Sequence, residues 1–226
     1  MARPQRAKPR IGRLARLAGL AATGRTGDLE AEIRAAAAAR VPLRAIRETL
    51  LQVSLFAGFP RTVNALDALE RALGRRPPDP PERLPAGEEG RRLLLRRGLA
   101  LFGRVYGPDA RRVLDGIGRR HPEFRDWIVA DAYGKVMGRR GLSAAERECL
   151  AVALLAALDL PRQQVPHVRG ALRCGARPAA VAAALDGVAG LAPAAAVRFA
   201  RARLAAETWR GARSSREVVG DDRFPS

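Results

Sequence analysis

Histidine is scarce in this sequence, and one of its two histidines has surroundings suited to proton transfer. On its predicted helix, His167 shares a face with Gln163 and Cys174, because residues four and seven positions apart lie on one side of a helix. The preceding predicted helix carries Glu148. An imidazole titrates near neutral pH and a carboxylate can orient it, so this pair could exchange protons with a substrate. We expect Gln163 to hydrogen-bond either the substrate or the imidazole.

The sequence alone does not bring Glu148 and His167 into contact. Short loops make consecutive helices antiparallel neighbours, and each of these residues lies near the start of its own predicted helix. The two starts would then lie at opposite ends of the helix pair. A changed crossing at the break over residues 159–161, or a second subunit, could supply the contact. The alternative interpretation is a histidine that serves packing alone.

Three further residues near His167 in the sequence have two interpretations each. Cys174 could be a thiolate beside the imidazole, or a small buried thiol. Arg169 and Arg173 could bind a substrate carboxylate, because the guanidinium fork matches its geometry, or they could form a solvated face. The sequence contains no metal-ligand cluster and no phosphate-binding glycine loop, so we expect no cofactor.

Helix signals recur along the chain, whereas the sustained alternation typical of strands does not occur. Alanine and leucine dominate while β-branched and aromatic residues are few, which favours helix. Ser143 and Glu146 form a capping-box pattern that predicts the start of a helix. Gly175 predicts the end of a later helix, and Pro178 predicts the first turn of the next one. The predicted fold class is therefore all-α, with no sheet.

Two diverged copies of one helical repeat are predicted. A shift of 135 positions places residues 11–73 on residues 146–208 without a gap. The matches are mostly small or aliphatic, so chance similarity between alanine-rich helices is the alternative, but the ungapped length favours duplication. The predicted organisation is a basic tail over residues 1–10, a degenerate first repeat over 11–73, a proline-rich linker over 74–92, helices leading into the second repeat over 93–210, and a C-terminal tail over 211–226.

The net charge of +18 makes a polyanion partner one possible interpretation. No recognition motif accompanies the charge, and an aromatic content of 4% leaves few stacking platforms for bases. An arginine-rich composition is therefore favoured over nucleic-acid binding. No apolar run approaches the roughly 20 residues of a membrane span, no secretory signal is visible, and two cysteines make no disulfide framework. We expect a cytoplasmic protein without a membrane partner.

Several motif blocks around His167 occur in a recognisable order. They are Tyr133-Gly134, then Arg140-Gly-Leu-Ser-Ala-Ala-Glu-Arg-Glu148, then Gln163-Gln-Val-Pro-His167-Val-Arg-Gly-Ala-Leu-Arg-Cys-Gly175. Together they resemble the core of the carboxymuconolactone decarboxylase family, whose hallmarks include the Arg-Glu pair and the Gln-x-x-x-His pair. In the first copy, the blocks Arg44-Ala-Ile-Arg-Glu-Thr-Leu-Leu-Gln52, Phe56-Ala-Gly-Phe-Pro60 and Asn64-Ala65 are similar to that family's segment after the histidine helix.

This resemblance implies an all-α fold, assembly into trimers or hexamers, and decarboxylation of a lactone in the branch that names the family. The related alkyl hydroperoxidase D type reduces peroxides with a Cys-x-x-Cys pair that precedes the histidine. This chain has Leu160 and Gln163 at those two positions, so peroxidase chemistry is not expected. Glu148 and His167 match the positions that carry acid/base function in both branches.

The first copy departs from this pattern, because Glu32 and Arg13 stand where the second copy has His167 and Glu148. We therefore expect one active site per chain and a structural first copy. Two hypotheses follow. The first is a cofactor-independent acid/base enzyme that acts on a small organic acid or lactone, with Arg147 or Arg169 holding a carboxylate. The second is a non-catalytic, homo-oligomeric helical scaffold whose basic surface binds a polyanion.

Overall fold

Helices account for all regular elements of the computed structural model, which describes residues 9–75 and 77–219, with side chains described up to residue 210. Within these ranges no strand occurs beyond one isolated bridge between Ala189 and Ala192, which confirms the all-α prediction. The helices are α1 Arg10–Thr23, α2 Thr26–Ala38, α3 Leu43–Gln52, α4 Ser54–Leu73, α5 Gly87–Tyr106, α6 Ala110–Arg120, α7 Pro122–Asp126, a π-helix Trp127–Met137 that continues α7, α8 Ala144–Ala157, α9 Pro161–Arg173, α10 Pro178–Val188 and α11 Ala194–Val219.

The predicted helix starts of the second half are confirmed. The Ser143 hydroxyl accepts a hydrogen bond from the backbone N–H of Glu146 at 3.2 Å, and the Glu146 carboxylate accepts one from the Ser143 N–H at 2.9 Å. This capping box fixes the start of α8. Pro178 opens α10 as predicted. No helix in the described ranges has the length and apolar character needed to cross a bilayer.

Two predicted boundaries differ from the structure. The linker is shorter than 74–92, because α5 begins at Gly87. All five prolines of that segment precede this start, and Glu88 and Glu89 lie in the first turn, where the helix dipole favours acidic side chains. At the other end, α11 continues to Val219 and takes up part of the predicted C-terminal tail. Most of the predicted basic tail, residues 1–8, and residues 220–226 lie outside the described ranges.

The helix bounds of the two halves follow the 135-residue shift closely. Shifted in this way, α2 coincides with α9, and α1 and α3 match α8 and α10 to within one residue. The left-handed backbone positions also correspond, since Gly24 falls on Asp159 and Arg40 falls on Gly175. In α4 the helix is broken at Gly58, with a φ of 81°, and the shift places the next residue at the start of α11. The common origin of the two halves stays a prediction.

Helix α8 lies at the centre of the molecule. Every residue from Arg147 to Ala157 is buried. Helices α1, α9 and α10 pack around it, and one apolar core runs through both halves of the chain. A helix that is apolar on all sides requires this position, because any exposed face would leave side chains in water.

Helix α5 and the π-helix form a second layer against α9, with a smaller apolar cluster of their own. Two glycines permit their close approach. A Cβ atom at Gly98 would lie 1.8 Å from the carbonyl oxygen of Val129, and one at Gly134 would lie 2.2 Å from that of Leu94. This layer belongs to neither predicted repeat, and it closes one side of the functional site.

A buried ion pair joins the two halves. The guanidinium of Arg147 in α8 donates to the carboxylate of Glu48 in α3 at 2.7 Å, and their side chains are 0% and 3% exposed. The amide of Gln52 donates to the carbonyl of Arg147 at 2.8 Å. Arg139 binds the same Glu48 carboxylate with its Nη2 atom at 2.9 Å. Burial lowers the pKa of Arg147, so this cation depends on its carboxylate partner.

We expect Glu48→Ala to lower the free energy of unfolding by about 3–5 kcal/mol, because it leaves the Arg147 guanidinium buried without a carboxylate. Urea unfolding followed by circular dichroism measures this loss. Glu88→Ala is the matched control, since Glu88 pairs with Arg92 at an exposed position, and it should cost at most about 0.5 kcal/mol. Equal losses for the two variants would contradict a structural role for the buried pair.

Candidate active site

A direct contact between Glu148 and His167 forms within one chain. The Nδ1 atom of His167 lies 2.8 Å from Oε2 of Glu148. The carboxylate is fully buried and the histidine is 9% exposed. The sequence left open whether a changed helix crossing or a second subunit would be needed for this contact. Neither is needed to bring the two side chains together.

The helix bounds explain why the opposite-end argument fails. The relevant distance is measured from the connection that the two helices share. Glu148 lies nine residues before the end of α8, and His167 lies six residues after the start of α9. Measured from the shared connection, the positions of Glu148 and His167 along their helices therefore differ by three residues, or about 4.5 Å. A glutamate side chain is long enough to span this distance.

Gly170 provides the space for this carboxylate. A Cβ atom at Gly170 would lie 2.8 Å from Oε2 of Glu148 and 2.6 Å from Cγ1 of Val105. Gly170 therefore allows both α8 and α5 to approach α9 closely.

A cavity of about 320 Å³ opens on the other side of the imidazole. Its wall is mainly apolar and combines residues of the first half, of α5, of α7, of the π-helix, of α8 and of α9 with the residue before it. The lining residues are Leu55, Phe56, Tyr106, Phe124, Ile128, Ala132, Tyr133, Met137, Leu155, Leu160, Gln163 and His167. Phe56 and Tyr106 each present a T-shaped contact to the imidazole, with ring centroids 6.1 Å and 6.4 Å away.

The proton state of His167 follows from its one hydrogen bond. Because Glu148 is a carboxylate that accepts, Nδ1 carries the proton and donates. Within the described residues the other ring nitrogen, Nε2, has no hydrogen-bond partner. The second carboxylate oxygen of Glu148, Oε1, also has no donor among the described residues. The imidazole is thus held in one tautomer, with Nε2 able to accept a proton from a ligand and to return it.

Both tyrosines of the chain line this cavity. The ring of Tyr106 stacks on that of Phe102 with centroids 4.1 Å apart, and the ring of Tyr133 makes a T-shaped contact with Phe102 at 4.9 Å. Burial raises the pKa of Tyr106 and raises that of Tyr133 well above 10, and the charge of Glu148 adds to both effects. Both hydroxyls are therefore protonated at neutral pH and available as donors. Sequence reasoning missed Tyr106 as a residue of the site. The chain has only two tyrosines, and this scarcity was a signal that could have directed attention to both.

The two arginines predicted to hold a substrate carboxylate lie elsewhere. Arg147 is enclosed by Glu48 and Gln52 in the interior. Arg169 donates to Glu207 of α11 at 2.8 Å. Neither lines the cavity beside His167. Their positions do not support the predicted carboxylate-binding role, because a guanidinium already bound to a protein carboxylate has its fork occupied.

Cys174 is a buried thiol and does not line the cavity. It packs in the small cluster beneath α5 and the π-helix. Burial raises its pKa, and the charge of Glu148 raises it further. Cys149 is also free and buried, and burial raises its pKa to about 12. Both cysteines therefore match the small buried thiol rather than the thiolate beside the imidazole. No group of three His, Cys, Asp or Glu residues within the described ranges could hold a metal ion.

The first half has an ion pair at the equivalent position. Glu32 occupies the position equivalent to His167, and its carboxylate accepts a hydrogen bond from Nε of Arg16 at 3.1 Å. Arg13 occupies the position equivalent to Glu148, and its Nη1 atom lies 3.8 Å from the Glu32 carboxylate. This arrangement contains no histidine. It agrees with the expectation that only the second half carries acid/base residues.

The molecule is thus an all-α protein with a buried carboxylate–imidazole pair beside an apolar cavity. Residues 122–207 match the model of the carboxymuconolactone decarboxylase family. The match includes Glu148, Gln163 and His167, and it confirms the resemblance predicted from the sequence motifs. The family segment also contains the π-helix, which supplies much of the cavity wall.

A curated relative is Peroxisomal protein 2 of Schizosaccharomyces pombe, which is 30% identical over 132 residues. The aligned part covers 58% of this chain and 61% of that protein. The chain therefore matches less than two thirds of the length of this relative. The peroxisomal location in the name belongs to the relative, and a cytoplasmic location stays a prediction for this chain.

We expect Gly170→Ala to displace the Glu148 carboxylate, because the added Cβ atom cannot coexist with it at 2.8 Å. The free energy of unfolding should fall by about 1–3 kcal/mol. The NMR signals of the His167 imidazole should shift, while those of His121 stay unchanged. Gly103→Ala is the control, since a Cβ atom there meets nothing within 4 Å, and it should stabilise the protein by about 0.5–1 kcal/mol. An unchanged His167 signal would contradict the proposed close packing.

We expect both cysteines to be unreactive in the folded protein. A thiol with a pKa of about 12, as at Cys149, is a thiolate in only about one molecule in 10⁴ at pH 8. Iodoacetamide labelling at pH 8, read by mass spectrometry, should be slow without urea and fast with it. Rapid labelling of Cys174 in the folded state would show an activated thiol and would reopen thiol chemistry at this site.

Proposed function

We propose that this protein is a carboxymuconolactone decarboxylase-like enzyme that uses acid/base chemistry on a small organic acid or lactone. One observation carries the proposal. The Nδ1 atom of His167 is bound to a buried carboxylate at 2.8 Å, while the same imidazole lines a cavity of about 320 Å³. A carboxylate that orients a histidine leaves Nε2 ready to take up and return a proton.

The roles of the two residues differ. Glu148 holds the ring in one orientation and stabilises the imidazolium that forms after proton uptake, because a negative charge in a buried site interacts strongly with it. His167 is the group that exchanges the proton with the substrate. In the decarboxylation step Nε2 first takes up the proton of the substrate's carboxylic acid, the carboxylate then leaves as carbon dioxide, and the imidazolium returns the proton to the carbanion or dienolate, so the step balances without a cofactor.

The lining of the cavity restricts the substrate. Its volume suits a small molecule, and its polar groups are Tyr106, Tyr133, Gln163 and His167. No arginine or lysine lines it. We infer a substrate with one polar, hydrogen-bonding end directed at these groups and an apolar remainder. An apolar wall also disfavours the localised charge of a substrate carboxylate more than the delocalised charge that forms as carbon dioxide leaves.

The tyrosine pair and Gln163 are the groups we assign to substrate positioning. The hydroxyls of Tyr106 and Tyr133 are protonated at neutral pH and can donate to a carbonyl or lactone oxygen. Gln163 is exposed at the rim and can donate or accept. Arg147 and Arg169 have no place in this proposal, because their partners are protein carboxylates.

We expect His167→Ala to lower the turnover of an accepted substrate by about 10²- to 10⁴-fold, because it removes the proton-transfer group. The assay is a screen of carboxylated lactones and small organic acids, read by release of carbon dioxide or by loss of substrate. Circular dichroism should show an unchanged helical content at about 25 °C, while the melting temperature should fall because Glu148 loses its buried partner. Glu148→Gln should lower turnover as well and should change the dependence of kcat on pH.

The matched control is His121→Asn. His121 is exposed and caps α7 by accepting the N–H of Phe124 at 3.2 Å, a role that asparagine can take over. Its turnover should equal that of the unchanged protein. If His167→Ala and His121→Asn were equally active on a substrate that the protein converts, His167 would not be the proton-transfer group and the acid/base proposal would be wrong. Absence of turnover by the unchanged protein across the whole screen would favour the non-catalytic scaffold instead.

A further inference from the structure

A second cavity, of about 480 Å³, has a different character from the one beside His167. It lies where the proline-rich linker meets α3, α5 and the segment after the π-helix, and it shares no lining residue with the first cavity. Its wall is dominated by arginine. The lining residues are Arg44, Pro80, Pro81, Glu82, Arg83, Arg97, Arg139 and Arg140.

The positive charges of this wall exceed the negative ones. Five arginines line it, with a single acid, Glu82. Arg97 binds both oxygens of Glu82, at 3.1 Å and 2.8 Å, so this acid is already occupied. The hydrogen bond from Arg97 lowers the pKa of Glu82, and the charges of Arg139 and Arg140 lower it further, which keeps the acid ionised.

Nearby acids do not compensate the remaining charge. Arg139 is bound to Glu48, which also serves the buried Arg147. Asp79 pairs with Arg47 at 3.3 Å. Within the described residues, the three remaining arginines of the wall have neither a hydrogen-bond partner nor an ion-pair partner, and they are Arg44, Arg83 and Arg140.

The wall is also held in place before any ligand arrives. Arg97 and Arg139 are fixed by their carboxylates, and Pro80 and Pro81 restrict the backbone of the linker. A cluster of like charges in a concave site focuses the electrostatic potential and attracts counter-ions. Preorganisation of this kind lowers the entropy cost of binding.

We propose that this cavity binds a small molecule with two or more negative charges, bearing phosphate or carboxylate groups, through Arg44, Arg83 and Arg140. Guanidinium groups bind both kinds of anion through paired N–H donors, which accounts for arginine rather than lysine at these positions. The volume suits a small molecule. The wall has no aromatic residue on which a base could stack, so a polynucleotide fits less well.

The test is titration calorimetry of the full chain at an ionic strength of about 150 mM, with inorganic pyrophosphate and citrate as probes and acetate as the singly charged control. We expect saturable one-to-one binding of pyrophosphate or citrate and none of acetate. The preferred probe distinguishes a phosphate ligand from a carboxylate ligand. Absence of saturable binding of both probes would overturn the proposal.

Variants separate this site from the general positive charge of the protein. The double substitution Arg44→Ala, Arg140→Ala should weaken binding by about tenfold or more. The control double substitution Arg162→Ala, Arg198→Ala removes two exposed arginines outside the cavity, leaves the same net charge, and should change the affinity less than about twofold. Equal weakening by both double variants would show surface electrostatics and overturn the proposal.

Two further variants complete the test. Arg83→Ala alters only the linker wall, so it should weaken binding without affecting a helix. His167→Ala should leave the anion affinity unchanged, which keeps the outcome independent of the proposed enzyme activity. A loss of anion binding in His167→Ala would show that the anion occupies the first cavity, and the proposal would then be wrong.

Discussion

Two opposite charges that are adjacent in sequence and fully buried determine the arrangement of this molecule. Arg147 and Glu148 lie in the central helix α8, and both side chains are 0% exposed. Neighbouring residues on a helix point about 100° apart, so the two must find partners in different directions. A buried ion without a partner costs several kcal/mol. Arg147 is therefore tied to Glu48 in the first half, and Glu148 to His167 in α9.

This division gives the Arg-Glu motif two separate functions. The arginine anchors the first half of the chain to the second, and the glutamate orients the imidazole. The pairing with Glu48 also holds α3 and the start of α4 against α8, and Leu55 and Phe56 from that region complete the cavity wall. The first half thus contributes structure to the site even though its own equivalent position holds Glu32 between arginines. One proton-transfer pair per chain follows from this asymmetry.

The sequence predicted what depends on local signals. The capping box at Ser143, the proline that opens α10 and the glycine after α9 specify helix ends through contacts within a few residues, so the all-α class could be read directly. The pair of Glu148 and His167 could be named from residue type and motif. Their contact could not be derived, because it depends on how far each residue lies from the shared connection and on the space that Gly170 leaves.

The sequence predicted Arg147 as a substrate-binding residue, whereas the structure pairs it with Glu48 in the interior. An arginine beside a candidate acid suits substrate binding and internal pairing equally well, and only burial separates the two. A signal was present, since the apolar run that follows, Leu150 to Leu158, indicates a helix buried on all sides. The cavity itself was beyond prediction, because its wall combines α5, the π-helix, α9 and the first half, and such contacts join residues far apart in the sequence.

The two cavities also explain how a protein of net charge +18 can contain an apolar site. Arg147 and Arg169 are paired with the carboxylates of Glu48 and Glu207. Of the described residues that line the two cavities, five arginines lie in the cavity at the linker and none lies in the cavity beside His167. A cation beside His167 would work against the imidazolium that Glu148 stabilises, because charges interact strongly in a buried site. The separation of the arginine-lined cavity from the histidine-lined one therefore suits the proposed proton transfer.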